Sequence, residues 1–385
     1  MKKIKFGLLP RILVAIVLGV ALGGVMPEWG IRVFLTFNGL FSQLLGFLIP
    51  LIIVGMVIPA IADIGRGAGR MLLYTVLLAY ASTIVAGLAS YFTGALTFPS
   101  LIDSAVSLDV AAEATKLAPY FTVEIAPLMS VMTALVLAFM VGLGLAYLKG
   151  DALRNVAKDF GDLVTMTIES VIIPLLPLYI FGIFLDMTAA GEVMRVIGVF
   201  IKIIGVIFVL HIVWRILLYC ISGAVSKRNP FKMLATMLPA YFTALGTQSS
   251  AATIPVTLEQ SRKMGVSDEV SGFVIPLCAT IHMSGSMLKI VACAMALMLM
   301  QGIAFDFGMF FGFICMLAIT MVAAAGVPGG AIMAALGVLA TMLGFTAEDQ
   351  ALMISLYIAM DSFGTACNVT GDGALAAIMD RINKK

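Results

Sequence analysis

The length of its apolar runs limits this chain more than any other feature. A helix needs about 20 largely apolar residues to cross the roughly 30 Å hydrocarbon core of a bilayer. Residues 8–26, 34–62, 70–97, 126–148, 160–188 and 194–224 form six such segments, separated by short polar loops. Of the 385 residues 62% are hydrophobic and 11% charged, whereas soluble domains carry about a quarter charged residues. Backbone polar groups in lipid must be satisfied within the segment, so the fold class is an all-α polytopic membrane protein.

The cations are distributed unevenly. Lys2, Lys3, Lys5 and Arg11 open the first span, and alternate loops then carry Arg66 and Arg70; Lys149, Arg154 and Lys158; Lys227, Arg228 and Lys232; Arg262 and Lys263; and Arg381, Lys384 and Lys385. The positive-inside rule puts these and both termini in the cytoplasm. The loop 98–123, with Asp103, Asp109 and Glu113, then lies outside. A basic start before an apolar run also suits a signal peptide, but no convincing small-x-small cleavage site follows, so it reads as the first span. Cys220, Cys278, Cys293, Cys315 and Cys367 sit in apolar stretches without metal or redox spacing, as buried free thiols do.

After Asn229 the pattern changes. Two pairs of short apolar segments, 233–246 with 254–264 and 310–324 with 331–343, flank small polar or Gly/Pro-rich tips and are too short to span. Between them, 270–300 is interrupted by His282-Met283-Ser284-Gly285-Ser286, and the last segment, 350–379, is polar in its middle. Hairpin, broken helix, hairpin, polar helix reads as one motif used twice with opposite entry. Such repeats with Gly/Pro-broken segments mark a transporter's midplane site.

Asp361, Thr365, Asn368 and Asp372 fall at i, i+4, i+7 and i+11, within roughly 60° of one helix face. Carboxylates at that depth need cations or donors. Exposed carbonyls of unwound helices with Asp, Asn and Thr oxygens suit a hard cation. A helix N-terminus near Thr253-Ile254-Pro255 suits a carboxylate. A carboxylate at the tips and an amine at Asp361 together describe an α-amino acid. Intramembrane aspartyl chemistry is excluded by geometry, since 11 residues on one helix separate Asp361 and Asp372 by about 16 Å. Ser249 and Ser250 have no His–Asp partner in reach by sequence, so no enzyme is expected. A channel is the remaining alternative, and opposed hairpins with an ammonium-binding aspartate suit a gated carrier better.

From about Pro239 to Ala377 the chain resembles the dicarboxylate/amino acid:cation symporters, the glutamate-transporter homologues. Thr247-Gln248-Ser249-Ser250-Ala251-Ala252-Thr253-Ile254-Pro255 is similar to their first tip and Ala325-Gly326-Val327-Pro328-Gly329 to their second. Pro276-Leu277-Cys278-Ala279-Thr280-Ile281-His282-Met283-Ser284-Gly285-Ser286 is similar to their broken helix, and Asn368-Val369-Thr370-Gly371-Asp372 to their last helix. The resemblance implies about eight transmembrane helices plus two re-entrant hairpins, assembled as a homotrimer in a bacterial inner membrane. It divides the chain into scaffold helices (1–68), a third helix of the moving domain with its loop (69–125), scaffold and trimerisation helices (126–188) and the rest of the transport domain (189–385), moving as an elevator.

The same resemblance implies that Asp361 holds the substrate ammonium. Asn368, Ser249 and Ser250 would hold the α-carboxylate, with Gly364, Thr365 and Gly326 of the second tip lining the pocket. Asp372 and Asn368 with carbonyls at Cys278 and His282 would bind one sodium ion, and carbonyls of Thr280, Met283 and the second tip another. Where acidic-substrate members carry an arginine this chain has Gly364, with Gln248 at the first-tip alternative. Burying a second carboxylate without a cation there is costly, so a small neutral amino acid of the serine, threonine or alanine kind is expected, and no nucleic acid. Lys289 could restore an acidic substrate if it points inward, making acidic amino acids or dicarboxylates the alternative. Ser284 replaces an aspartate that ligates a third sodium ion, so one or two ions are expected. His282, in place of an asparagine, and His211 read as hydrogen-bonded structural residues, with proton coupling the alternative for His282. Ile290 stands where proton-coupled members carry a glutamate.

Overall fold

The computed structural model describes residues 8–66, 69–102, 117–191, 193–321 and 329–384. Among them the regular structure is helical throughout. Helices α1 (Leu8–Gly23), α2 (Glu28–Arg66), α3 (Gly69–Leu101) and α4 (Val131–Tyr147) come first. Helices α5 (Ala152–Thr167) and α6 (Ile173–Ala189) join through a π-helical turn, Ile168–Ile172, ahead of Pro174 and Pro177. That turn absorbs the backbone bonds that two prolines cannot donate. Helix α7 (Val193–Ser226) and the short α8 (Pro230–Thr236) follow.

The C-terminal half is built from breaks. Helices α9 (Leu238–Thr247) and α10 (Ser250–Lys263) form the first hairpin, and α11 (Asp268–Ile281) and α12 (Ser284–Met300) one interrupted span. Helices α13 (Phe307–Thr320) and α14 (Gly330–Leu343) flank the second tip, and α15 (Ala347–Ala359) and α16 (Asp361–Asn383) end the fold. Among the described residues five helical stretches are long and apolar enough to cross a membrane, and the bent pair α15–α16 makes a sixth. The shorter apolar helices α1 and α4, of 16 and 17 residues, complete the expected eight. Exposed Val17, Leu77, Val136, Met140, Ile201 and Val209 give these outer helices an apolar surface suited to lipid.

Two expectations change in detail. The last segment is not one helix: it bends by 63° at Met360, whose N–H turns back to the Tyr357 carbonyl at 3.1 Å. Asp361 thereby becomes the first residue of α16, where a carboxylate faces the positive end of the helix dipole. The first-hairpin helix also starts earlier than Thr253. Gln248 is left-handed (φ 54°), and the Ser249 hydroxyl caps α10 by accepting the Ala252 N–H at 3.2 Å.

Helices α1, α2, α4, α5 and α6 pack against one another, and α3, α7, α9–α12 and α16 form a second set. Helix α14 lies against α2, and α15 against α1 and α6. Helix α12 is buried from Ser284 to Met298, and α16 almost throughout, so their polar residues have no route to bulk solvent within this packing.

Asp380 closes one end of the second set. Its carboxylate, 2% exposed, accepts from Arg228 (2.9 Å), Lys384 (2.9 Å) and the Ser267 N–H (3.1 Å). Asp380→Ala strands these donors and is expected to cost about 2–4 kcal/mol, read as a lowered thermal-unfolding midpoint in detergent.

Candidate functional site

Both hairpins converge on the first turn of α16. The Gln248 amide at the first tip donates to Ser362 Oγ at 3.4 Å. The Gly329 N–H, at the start of α14, donates to Asp361 Oδ2 at 2.9 Å. Gly329 is left-handed (φ 75°), a conformation that glycine adopts without strain. Asp361 is 3% exposed, and its other oxygen meets the Lys289 ammonium at 3.1 Å.

Lys289 is fully buried on α12. Its Nζ sits 3.5 Å from the centre of the Tyr357 ring and 3.5 Å from the Met360 carbonyl, which also accepts the Phe363 and Gly364 N–H groups of α16. The ring face and the carbonyl are the two neutral groups that best accommodate a cation besides its carboxylate. Gly364 makes room for it. A Cβ added there would lie 2.5 Å from Lys289 Cε and 2.6 Å from Nζ. Position 364 carries no side chain and position 248 an uncharged amide, as read from the sequence. Lys289, whose direction that reading left open, points inward onto Asp361 and delivers a cation from the neighbouring helix.

A second chain of hydrogen bonds continues inward. The Gly285 N–H donates to Asn368 Oδ1 at 2.7 Å, and Asn368 Nδ2 donates to Ser286 Oγ at 3.2 Å. The Ser286 and Tyr357 hydroxyls are 2.9 Å apart, so the network returns to the ring beneath Lys289. On the far side of Gly285, its carbonyl lies 3.0 Å from His211 Nε2.

Deeper on α16, Asp372 Oδ1 meets His282 Nδ1 at 2.9 Å, and His282 Nε2 meets Ser82 Oγ on α3 at 3.0 Å. A carboxylate only accepts, so Nδ1–H is the donor to Asp372, while which of Nε2 and Ser82 donates depends on the tautomer. Gly371 admits the ring, since a Cβ there would stand 2.5 Å from His282 Cε1. The Met283 N–H donates to Thr83 Oγ1 at 3.3 Å.

The site residues read from sequence thus fall into two neighbouring groups. Asp361, Gly364, Thr365 and Asn368 are buried along one face of α16, with Ser249 and Ser250 at the first tip. Cys278, Thr280, His282 and Met283 surround the break between α11 and α12, beside Asp372. The Thr280 hydroxyl donates to the Leu277 carbonyl at 2.7 Å, and Ser284 Oγ is buried without a hydrogen-bond partner. Gly326, with the rest of 322–328, lies outside the described residues, as do Asp103, Asp109 and Glu113. The sequence reading missed Tyr357, Ser82 and Gly329. A signal existed for the central pair: a lysine and an aspartate, each without an opposite charge nearby in its own apolar segment, require partners.

The family described as the sodium:dicarboxylate symporter family has a sequence model that matches residues 8–382. Excitatory amino acid transporter 2 of Homo sapiens is 32% identical over 193 residues, 50% of this chain and 33% of that protein. Excitatory amino acid transporter 1 of Bos taurus is 30% identical over 240 residues, 61% of this chain and 44% of that protein. An excitatory amino acid transporter of Caenorhabditis elegans is 32% identical over 160 residues, 41% of this chain and 32% of that protein. The chain therefore spans between a third and less than half of the length of these relatives.

The fit of Lys289 over Gly364 is testable as a coupling. Gly364→Ala should cost about 1–3 kcal/mol of stability by pushing the lysine off Asp361. On a Lys289→Ala background the same change should cost little, and a double-mutant cycle of unfolding midpoints reads the difference.

Proposed function

Because the chain belongs to the sodium:dicarboxylate symporter family, we propose that it is a sodium-coupled secondary symporter of small neutral amino acids. The observation that carries this reading is the charge count around Asp361. The carboxylate is matched by a single ammonium, Lys289, and both side chains are buried, with the Gly329 N–H on the carboxylate and the Gln248 amide on the adjacent Ser362. A zwitterion entering this space adds equal and opposite charges. An acidic amino acid adds one carboxylate more than the pair can match, and unmatched buried charge costs several kcal/mol.

The substrate ammonium goes to Asp361, and its carboxylate to Asn368 and the capped N-terminus of α10 at Ser249 and Ser250. Thr365 and Gly364 line the side-chain space, and Gly326 is assigned to the same substrate site. One sodium ion binds at Asp372 and Asn368 with carbonyls at Cys278 and His282. Asp372 shares one oxygen with His282 and offers the other. A second ion at the carbonyls of Thr280, Met283 and the second tip gives the one or two ions of this reading. The ions and the amino acid are cargo, the sodium gradient driving accumulation of the amino acid, and the proposed cycle involves no covalent chemistry.

The movement we propose is an elevator within a homotrimer. Residues 69–125 and 189–385 carry the site past a scaffold formed by 1–68 and 126–188. The packing of α3 against α12, rather than among α1, α2, α4 and α6, supports putting α3 with the moving part. Both termini face the cytoplasm of a bacterial inner membrane, in keeping with the lysines and arginines of alternate loops.

One observation favours a second reading. Lys289 points inward, the condition on which the acidic alternative was raised, so acidic amino acids become the alternative substrates should it leave Asp361 entirely. Uptake into proteoliposomes decides between them. An imposed inward sodium gradient should drive accumulation of serine, threonine or alanine, and preference for aspartate or glutamate establishes the second reading instead. Asp361→Asn should lower uptake at least about 100-fold without changing assembly, the scale of losing a charge-assisted bond to the ammonium. Uptake at wild-type affinity removes Asp361 from the site.

A further inference from the structure

A buried lysine is an expensive way to neutralise a buried aspartate. Replacing such a pair with apolar residues of similar volume is often neutral or stabilising. Here the pair is also unusually accommodated: α16 gives up a side chain at Gly364, and the Met360 carbonyl at the α15–α16 bend lies 3.5 Å from Nζ. The Tyr357 ring offers its face, held by the Ser286 hydroxyl. Two of the three neighbours of Nζ, the carbonyl and the ring, are neutral. They can hold the ammonium when Asp361 is engaged elsewhere, but they leave its charge unmatched.

We propose that Lys289 is a substrate-binding residue that works by ion-pair exchange. The arriving ammonium takes over Asp361 Oδ1, and the released Lys289 ammonium pairs with the carboxylate of the same molecule. An α-amino acid carries both groups on one carbon, which suits insertion between partners standing 3.1 Å apart. The resting pair is thus a stand-in for substrate: it keeps Asp361 neutralised and bound to the Gly329 N–H while the site is empty. Lys289 selects zwitterions over amines because an amine alone breaks the resting pair and leaves the lysine charge without a partner. This inference rests on the amino-acid reading above and assigns part of the carboxylate recognition to a residue that reading uses only as a counter-ion.

Equilibrium binding to the purified full chain, by titration calorimetry, tests it with matched ligands: serine against ethanolamine, and alanine against ethylamine, each amine lacking only the carboxylate. The wild type should prefer the amino acid. Lys289→Met should weaken serine roughly 10- to 100-fold, the range for losing a hydrogen bond between charged groups, while ethanolamine binds as well or better. Lys289→Arg, which keeps the charge, should retain the preference for serine. Should methionine prevent folding, Lys289→Gln still hydrogen-bonds Asp361 and must show the same fall in the serine-to-ethanolamine ratio. A ratio unchanged in whichever of these two variants folds makes Lys289 a structural counter-ion and overturns the exchange. A wild type that binds neither serine, alanine nor acidic amino acids overturns the amino-acid reading and the exchange together. Binding of amino acids with an unchanged ratio overturns the exchange alone.

Discussion

The site depends on one buried carboxylate that is fully used. Asp361 holds Lys289 from α12 with one oxygen and the Gly329 N–H with the other. Through these two bonds a single side chain at the start of α16 ties together the broken span, the second hairpin and the last helix. A carboxylate at this depth without partners costs several kcal/mol. The neighbouring elements therefore pack so that its partners arrive: Gly364 lacks a side chain, Tyr357 turns its ring under the ammonium, and the bend before α16 puts Asp361 at a helix start.

Much of this architecture is visible in residue order because membrane burial imposes a strict rule on the backbone. Segments of ten to fourteen apolar residues cannot span, so the two hairpins announce themselves. The break at His282 and Met283 and the shared face of Asp361, Thr365, Asn368 and Asp372 follow from polar residues in apolar context and from helical periodicity. All four fall within α16, so their common face survives the unforeseen bend before it.

What was not legible is the pairing across helices. Lys289 and Asp361 are 72 positions apart, and nothing in either local pattern says which way the lysine points. Gly364 says that no cation stands at its own position, but not that its missing side chain is the space Lys289 fills. His282 poses the same problem. Its bonds to Asp372 and Ser82 connect α11, α16 and α3, a three-body arrangement that single-segment periodicity does not encode. The bend at Met360 arises from one tightened turn, which helix propensity does not foresee.

On the exchange proposed for Lys289, a tethered ammonium stands where a free one is to bind, and a ligand displaces it only by the difference between its own contacts and those of Lys289. The most direct test is a structure of the protein determined with a bound amino acid. The account predicts the ligand nitrogen within hydrogen-bond distance of Asp361 and the Lys289 ammonium moved onto the ligand carboxylate. An intact Lys289–Asp361 pair with the amino acid bound elsewhere would contradict it.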